Sequence, residues 1–151
     1  MSQELPGPVP RLTVVTLGVS DIRASIAFYD ALGLSRRLKA TGEAVAFYDT
    51  GGPLLALYPW DQLAADATLQ DAPRPSTFRG MTLAWNCRTR EEVDAVLAFA
   101  IGKGAGLLRA ARETDYGGYS GYFTDPDGHP WEVVVAPGIE VGEDRRVHLA
   151  D

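Results

Sequence analysis

Gly121-Tyr-Phe-Thr-Asp-Pro-Asp-Gly-His-Pro-Trp-Glu-Val-Val-Val135 reads as a strand, a tight turn and a second strand. Asp125-Pro126-Asp127-Gly128 supplies the turn: Pro126 presets φ near about −65°, and Gly128 accepts positive φ without steric cost. Asp125 and Asp127 read as turn formers, because the glycine comes too early for an EF-hand calcium loop. The outgoing strand is apolar except at Glu132, which sits between Trp131 and Val133. A carboxylate on a strand built for burial is costly to desolvate unless a partner meets it. Glu132 is therefore the first candidate for a site. His129 lies in the turn and reads as solvated; three residues from Glu132, it points to the opposite face of an extended strand.

Upstream of this hairpin, Met81 to Asn86 reads as a strand, and Thr89-Arg90-Glu91-Glu92 as a capping box. Val93, Val96, Leu97 and Ala100 form the apolar stripe of the helix that follows, and Gly102 and Gly104 stop it. With strands near Gly106–Arg109, Ser120–Thr124 and Trp131–Val135, the order is β-α-β-β-β. The first half repeats it. Leu12 to Val19 is a strand, Ser20 or Asp21 caps a helix carrying Ile22, Ile26 and Tyr29, and Gly33 ends that helix. Strands near Leu34–Lys39, Ala44–Tyr48 and Leu54–Tyr58 follow, with Gly51-Gly52-Pro53 turning between the last two. Residues themselves repeat: Ala46-Phe47-Tyr48-Asp49 with Gly52-Pro53-Leu54-Leu55 parallels Gly121-Tyr122-Phe123-Thr124 with His129-Pro130-Trp131-Glu132.

The organisation is one domain over residues 11–137. Module one covers about 11–59, a connection about 60–79, and module two about 80–137. Trp60 to Asp66 reads as a short helix, and Pro73 and Pro75 as irregular backbone. Residues 1–10, with three prolines, form a loose lead-in without a secretory pattern, and 138–151 a polar tail that hangs off the domain. The formal net charge of −6 disfavours nucleic acid and anionic membranes as partners, and no apolar run is long enough to span a bilayer. The single cysteine, Cys87, excludes an internal disulfide, suits a reducing cytoplasm and reads as a small buried hydrophobe.

Two β-α-β-β-β modules closing on Asp-Pro-Asp-Gly-x-x-x-Glu resemble the vicinal oxygen chelate superfamily, which includes glyoxalase I, bleomycin resistance proteins and extradiol dioxygenases. Leu17 to Gly33 and Gly121 to Glu132 carry the resemblance. It implies an α+β fold whose two tandem βαβββ modules form curled mixed sheets around a cavity, with a helix outside each sheet. It also implies a homodimer. Metal-dependent members take four ligands, His, Gln or Glu, from the first and last strands of each module. Carried onto this chain, those positions fall at Val14, at Leu55 or Ala56, at Met81 and at Glu132. A divalent cation needs about four donors, and catalytic zinc keeps about three from protein. A metal site and a cofactor are therefore not expected.

Alternation places Val14, Thr16 and Gly18 opposite the helix of module one, and the repeat places Met81, Leu83 and Trp85 with Glu132 and Val134 in module two. Tyr48, Tyr58 and Trp60 fall at strand ends, where the cavity mouth should be. Tyr116-Gly-Gly-Tyr-Ser-Gly-Tyr122 is a glycine-rich aromatic loop leading towards Glu132. The candidate ligand-binding residues are thus Thr16, Tyr48, Tyr58, Trp60, Met81, Trp85, Tyr119, Tyr122 and Glu132. A small aromatic or amphiphilic molecule is the partner such a wall suits. Trp85, Tyr119 and Tyr122 read equally as core or dimer-interface residues. Glu132 has three readings: a structural acid bonded by Trp85 or a tyrosine, a ligand acceptor, or a general base in an enzyme.

Overall fold

The structure, a computed structural model, describes residues 7–69 and 77–151. Module one contains β1 (Val14–Val19), α1 (Ile22–Ala31), β2 (Ser35–Arg37), β3 (Ala46–Asp49) and β4 (Leu54–Pro59). A short helix, α2 (Trp60–Asp66), follows as read from the sequence. Pro73 and Pro75 lie outside the described residues. Module two contains β5 (Leu83–Asn86), α3 (Arg90–Gly102), β6 (Gly106–Glu113), β7 (Tyr119–Thr124) and β8 (Pro130–Val135). The first sheet has strand order β1-β4-β3-β2 and the second β5-β8-β7-β6. In each, the first strand of the module lies at the sheet edge and pairs parallel with the last, and the other pairings are antiparallel. This is the α+β arrangement of two βαβββ modules with mixed sheets.

Capping fixes where the helices begin. Asp21 accepts hydrogen bonds from the amides of Arg23 and Ala24, and Gly33 follows α1 at φ +91°. Thr89 accepts from the amide of Glu92 at 3.1 Å. The second arm of that box differs from expectation: Glu92 Oε2 accepts from the amide of Arg88, not of Thr89. The long carboxylate simply reaches one residue further back and satisfies a different free amide.

A single hydrophobic core joins both modules, with Leu17, Val19, Phe28, Leu55 and Leu57 from one side and Val93, Leu97, Phe123 and Val133 from the other. Polar contacts at the seam come from the Asp-Pro-Asp-Gly-His turn. Tyr29 of α1 donates to Asp125 Oδ2 at 2.7 Å and accepts from Trp131 Nε1 at 3.0 Å. Asp127 accepts from the Ser20 amide at 2.9 Å and from the Ser25 hydroxyl at 3.4 Å, so a turn of module two helps anchor the start of the helix of module one. His129 is a correction to the sequence reading. It is buried, with Nε2 2.8 Å from the carbonyl oxygen of Gly18 and Nδ1 3.1 Å from Arg79. A carbonyl can only accept, which assigns the proton to Nε2 and leaves Nδ1 to accept from the guanidinium.

Residues 138–151 do not hang free. Ile139–Val141 (β9) and Val147–Leu149 (β10) pair as an antiparallel hairpin. Arg88 of module two donates to the carbonyls of Val141 and Gly142, and Arg145 reaches Asp49 of module one at 3.4 Å. Polar composition described the hairpin's solvent side and concealed these tethers. Among the described residues no helix is long and apolar enough to cross a membrane.

Candidate functional site

Strand register decides which side chains share a face with Glu132. Directly paired positions lie on the same side of a sheet. Glu132 pairs with Ala84 on β5 and with Tyr122 on β7. The outer face of sheet two therefore carries Ala84, Asn86, Ser120, Tyr122, Glu132 and Val134, while Leu83, Trp85, Phe123, Trp131 and Val133 face the helix and core. In sheet one, Val14 pairs with Leu54 and Thr16 with Ala56, which puts Val14, Thr16, Ala56 and Tyr58 on the outer face and Leu55 and Leu57 in the core.

Several candidates consequently move. Tyr48 is fully buried on the helix side, where its hydroxyl donates to Asp30 Oδ1 at 2.8 Å; it does not stand at a cavity mouth. Trp85 and Leu83 are packed against the core rather than beside Glu132. Tyr119 points to α3 and donates to Asp94 at 2.7 Å, with Arg90 over its ring. Met81 precedes β5 and is largely exposed. Trp60 lies over Gly18 so closely that a Cβ there would sit 2.9 Å from Cε3, and the Arg79 guanidinium lies 5.1 Å from its ring centroid. Thr16 and Tyr58 are half-buried on the outer face of sheet one. Of the candidates, Tyr122 and Glu132 are the pair brought into direct contact, at 3.1 Å.

Glu132 lines a hollow of about 330 Å³ together with Ala84, Asn86, Tyr116, Val134, Ala136, Pro137 and Ile139. The cavity expected between the two modules differs in one respect: the lining comes from module two and the segment after it, and no residue of module one takes part. Burial and the neighbouring Glu132 raise the Tyr122 hydroxyl above its ordinary pKa, so it stays protonated and donates. Its ring is covered by the Arg109 guanidinium, 5.1 Å from the centroid. Arg109 is itself fixed by the hydroxyl of Ser120 at 2.7 Å and the Ser120 carbonyl at 2.9 Å. The result is a row of guanidinium, phenol and carboxylate across one sheet face. Sequence reasoning missed Arg109 and Asn86. For Asn86 the one-residue face error on β5 is the cause. For Arg109 the simple alternation fails, because register shifts interrupt β6 on both sides of it.

The same geometry tests whether these residues fit the cation that the resemblance implies. Val14 and Thr82 each stand the same number of residues before their helix caps, Asp21 and Thr89, so Thr82, not Met81, is the counterpart of Val14. Thr16 pairs with Ala56 as Ala84 pairs with Glu132, so Ala56, not Leu55, is the counterpart of Glu132. The set Val14, Ala56, Thr82 and Glu132 offers one carboxylate and one neutral hydroxyl. A divalent cation would keep most of its water there, and the residues do not fit it. Among the described residues no group of three or more His, Cys, Asp or Glu is placed to hold a metal ion.

Comparison with known proteins places these observations in a family. Residues 11–133 match the model described as the Glyoxalase/Bleomycin resistance protein/Dioxygenase superfamily. A glyoxalase-related enzyme from Fulvimarina pelagi is 33% identical, with 95% of this chain and 100% of that one covered at a TM-score of 0.83. A lactoylglutathione lyase from Agrobacterium tumefaciens is 25% identical over 85% of this chain and 95% of its own, at 0.64. Metallothiol transferase FosB from Lysinibacillus sphaericus (strain C3-41) is 27% identical over 124 residues, 82% of this chain and 81% of that protein.

Proposed function

This chain belongs to the glyoxalase/bleomycin resistance protein/dioxygenase superfamily, and from that premise we propose that it binds a small aromatic or amphiphilic molecule without a metal. The observation carrying this reading is the contrast between Glu132, held by Tyr122, and its three counterparts Val14, Ala56 and Thr82, which cannot complete a cation cage. A half-buried carboxylate with one phenolic partner keeps acceptor capacity for a ligand's hydrogen-bond donor or positive charge. Val134, Pro137, Ile139 and Tyr116 supply apolar surface around it.

A homodimer is part of the proposal. The hollow draws on one module, and Thr16 and Tyr58 lie on the equivalent face of the other, where a second copy of the chain could enclose the ligand between unlike modules. Cytoplasmic residence is proposed on Cys87, a buried free thiol whose pKa burial pushes up to about 12.

Thermal denaturation against a panel of aromatic and cationic compounds tests the reading. A ligand at about 100 times its Kd adds about 2.7 kcal/mol, which moves the midpoint by a few degrees. Silence from the whole panel would count against binding. Elemental analysis of protein purified without chelator is the companion measurement, and stoichiometric zinc, nickel, iron or manganese would overturn the metal-free part.

A second reading, an enzyme using Glu132 as acid or base, is favoured by the names of similar proteins, a lyase and a transferase. Glu132→Gln preserves shape and removes the titratable group. Under this reading it abolishes turnover of any substrate found while leaving the fold intact; unchanged turnover would exclude the role.

A further inference from the structure

A second concavity, larger than the one at Glu132, lies on the other side of β5. This cleft of about 980 Å³ has one wall from module one, with Leu12, Leu32, Leu34 and Pro53, and the other from β5, with Trp85. Trp131 contributes apolar surface, and the β9–β10 hairpin lines a further side. The hairpin is held there from both sides, by Arg88 on Val141 and Gly142 and by Arg145 on Asp49. The volume is that of a pocket for a drug-sized organic molecule.

The lining charges are lopsided. Arg88, Arg145 and Arg146 face the cleft, against the single carboxylate of Glu92, although the chain as a whole carries −6. Much of this charge is already engaged. Arg145 meets Asp49, and Glu92 accepts from the Arg88 amide. Arg146 differs: its backbone amide donates to Asp144 and its charge helps hold that carboxyl below its ordinary pKa, but its guanidinium makes no hydrogen bond or ion pair with any described residue. A planar, five-donor cation at the rim of a tryptophan-lined cleft suits a carboxylate, sulfonate or phosphate joined to an apolar ring.

We infer that this cleft is a second binding site, independent of Glu132, for a small organic anion with an aromatic body, anchored by Arg146 and stacked towards Trp85. The inference does not rest on the function proposed for the Glu132 hollow: Ala84, Asn86 and β9 border both hollows, but Glu132 lines only the first and Arg146 and Trp85 only the second.

Naphthalene-1-sulfonate is the probe, measured by isothermal titration calorimetry on the full chain, with the neutral naphthalene-1-methanol as comparator. Expected is saturable one-to-one binding of the sulfonate, at least tenfold weaker binding of the alcohol, and weakening of the sulfonate as salt is raised. Arg146→Glu, at an exposed position, should lose at least tenfold while its circular dichroism and melting midpoint stay those of the parent. Arg146→Ala should fall between the two. Glu132→Gln should bind the probe as the parent does. No binding, equal binding of the alcohol, or full affinity in Arg146→Glu overturns the inference. Loss of binding in Glu132→Gln instead would assign the probe to the other hollow and overturn it equally.

Discussion

The Tyr29 hydroxyl accepts from Trp131 and donates to Asp125. Burial first, and then the Asp125 carboxylate, raise its pKa well above the ordinary tyrosine value, and Tyr48 is raised in the same way by burial and Asp30. The sign of the pH effect follows. In the unfolded chain both phenols ionise near about pH 10, while in the folded chain they hold their protons to higher pH. The unfolded state therefore binds fewer protons above that point, and stability, intact below it, falls as pH rises from about 10. Urea titrations between pH 8 and 11 should show this decline. Tyr29→Phe should reduce its slope and also cost about 1–3 kcal/mol at neutral pH, since Asp125 and Trp131 each lose a buried partner. A slope unchanged in Tyr29→Phe would remove Tyr29 from the explanation. At the same scale, the importance of Glu132 was legible, because one acid in a valine strand stands out in any reading. Its partner was not. Tyr122 and Trp85 were both aromatic candidates, and only strand pairing separated them.

Elements show where alternation suffices and where it fails. Along β1 and β8 the inside and outside residues follow the sequence pattern closely, because a strand's side chains must alternate. Between strands the pattern carries no information on register, and a slip of one residue exchanges the faces completely. That slip explains Trp85 on β5. It also explains the uncertainty at β4. Tyr48 and Phe123 occupy matching buried positions, yet the turn to β4 is one residue shorter than the turn to β8, so Leu55 answers Trp131 and Ala56 answers Glu132. Another element-scale contact was invisible in the sequence: α2 presses Trp60 against Gly18. Gly18 is needed there for space, not for a left-handed backbone, since its φ is not among the positive ones. Gly18→Val should force the indole aside and cost about 1–3 kcal/mol by overpacking, read as a lower denaturation midpoint with a shifted tryptophan emission. A neutral effect would show that α2 yields without resistance.

For the whole molecule, the seam between modules and the strap across it matter most. Asp125, Asp127 and His129 form a turn, as their residue types require, and the same groups then fasten module two to β1 and both ends of α1. The β9–β10 hairpin adds an exposed tether through Arg88. Arg88→Ala should cost less than about 1 kcal/mol in global stability, because exposed hydrogen bonds are replaced by water. It should nevertheless speed proteolysis within residues 138–151 severalfold, since the strap then opens locally. Cleavage at the parent rate would show that the hairpin is held by other contacts. The proposed homodimer is tested at this scale by sedimentation equilibrium, where a purely monomeric mass at tens of micromolar protein would overturn it.

The amino-acid order by itself determined the two βαβββ modules, the helix caps at Asp21 and Thr89, the turn at Asp125–Gly128 and the isolation of Glu132. These are local consequences of periodicity, turn chemistry and the cost of burying charge, which act within a few residues. Only the tertiary structure decided that Tyr122 and Arg109 share a face with Glu132, that Tyr48, Trp85 and Tyr119 turn away from it, and that a polar C-terminal segment becomes a strap. Those outcomes depend on inter-strand register and on contacts between residues far apart in sequence. Neither is encoded in any short stretch of the chain, because both are fixed by how the assembled core packs.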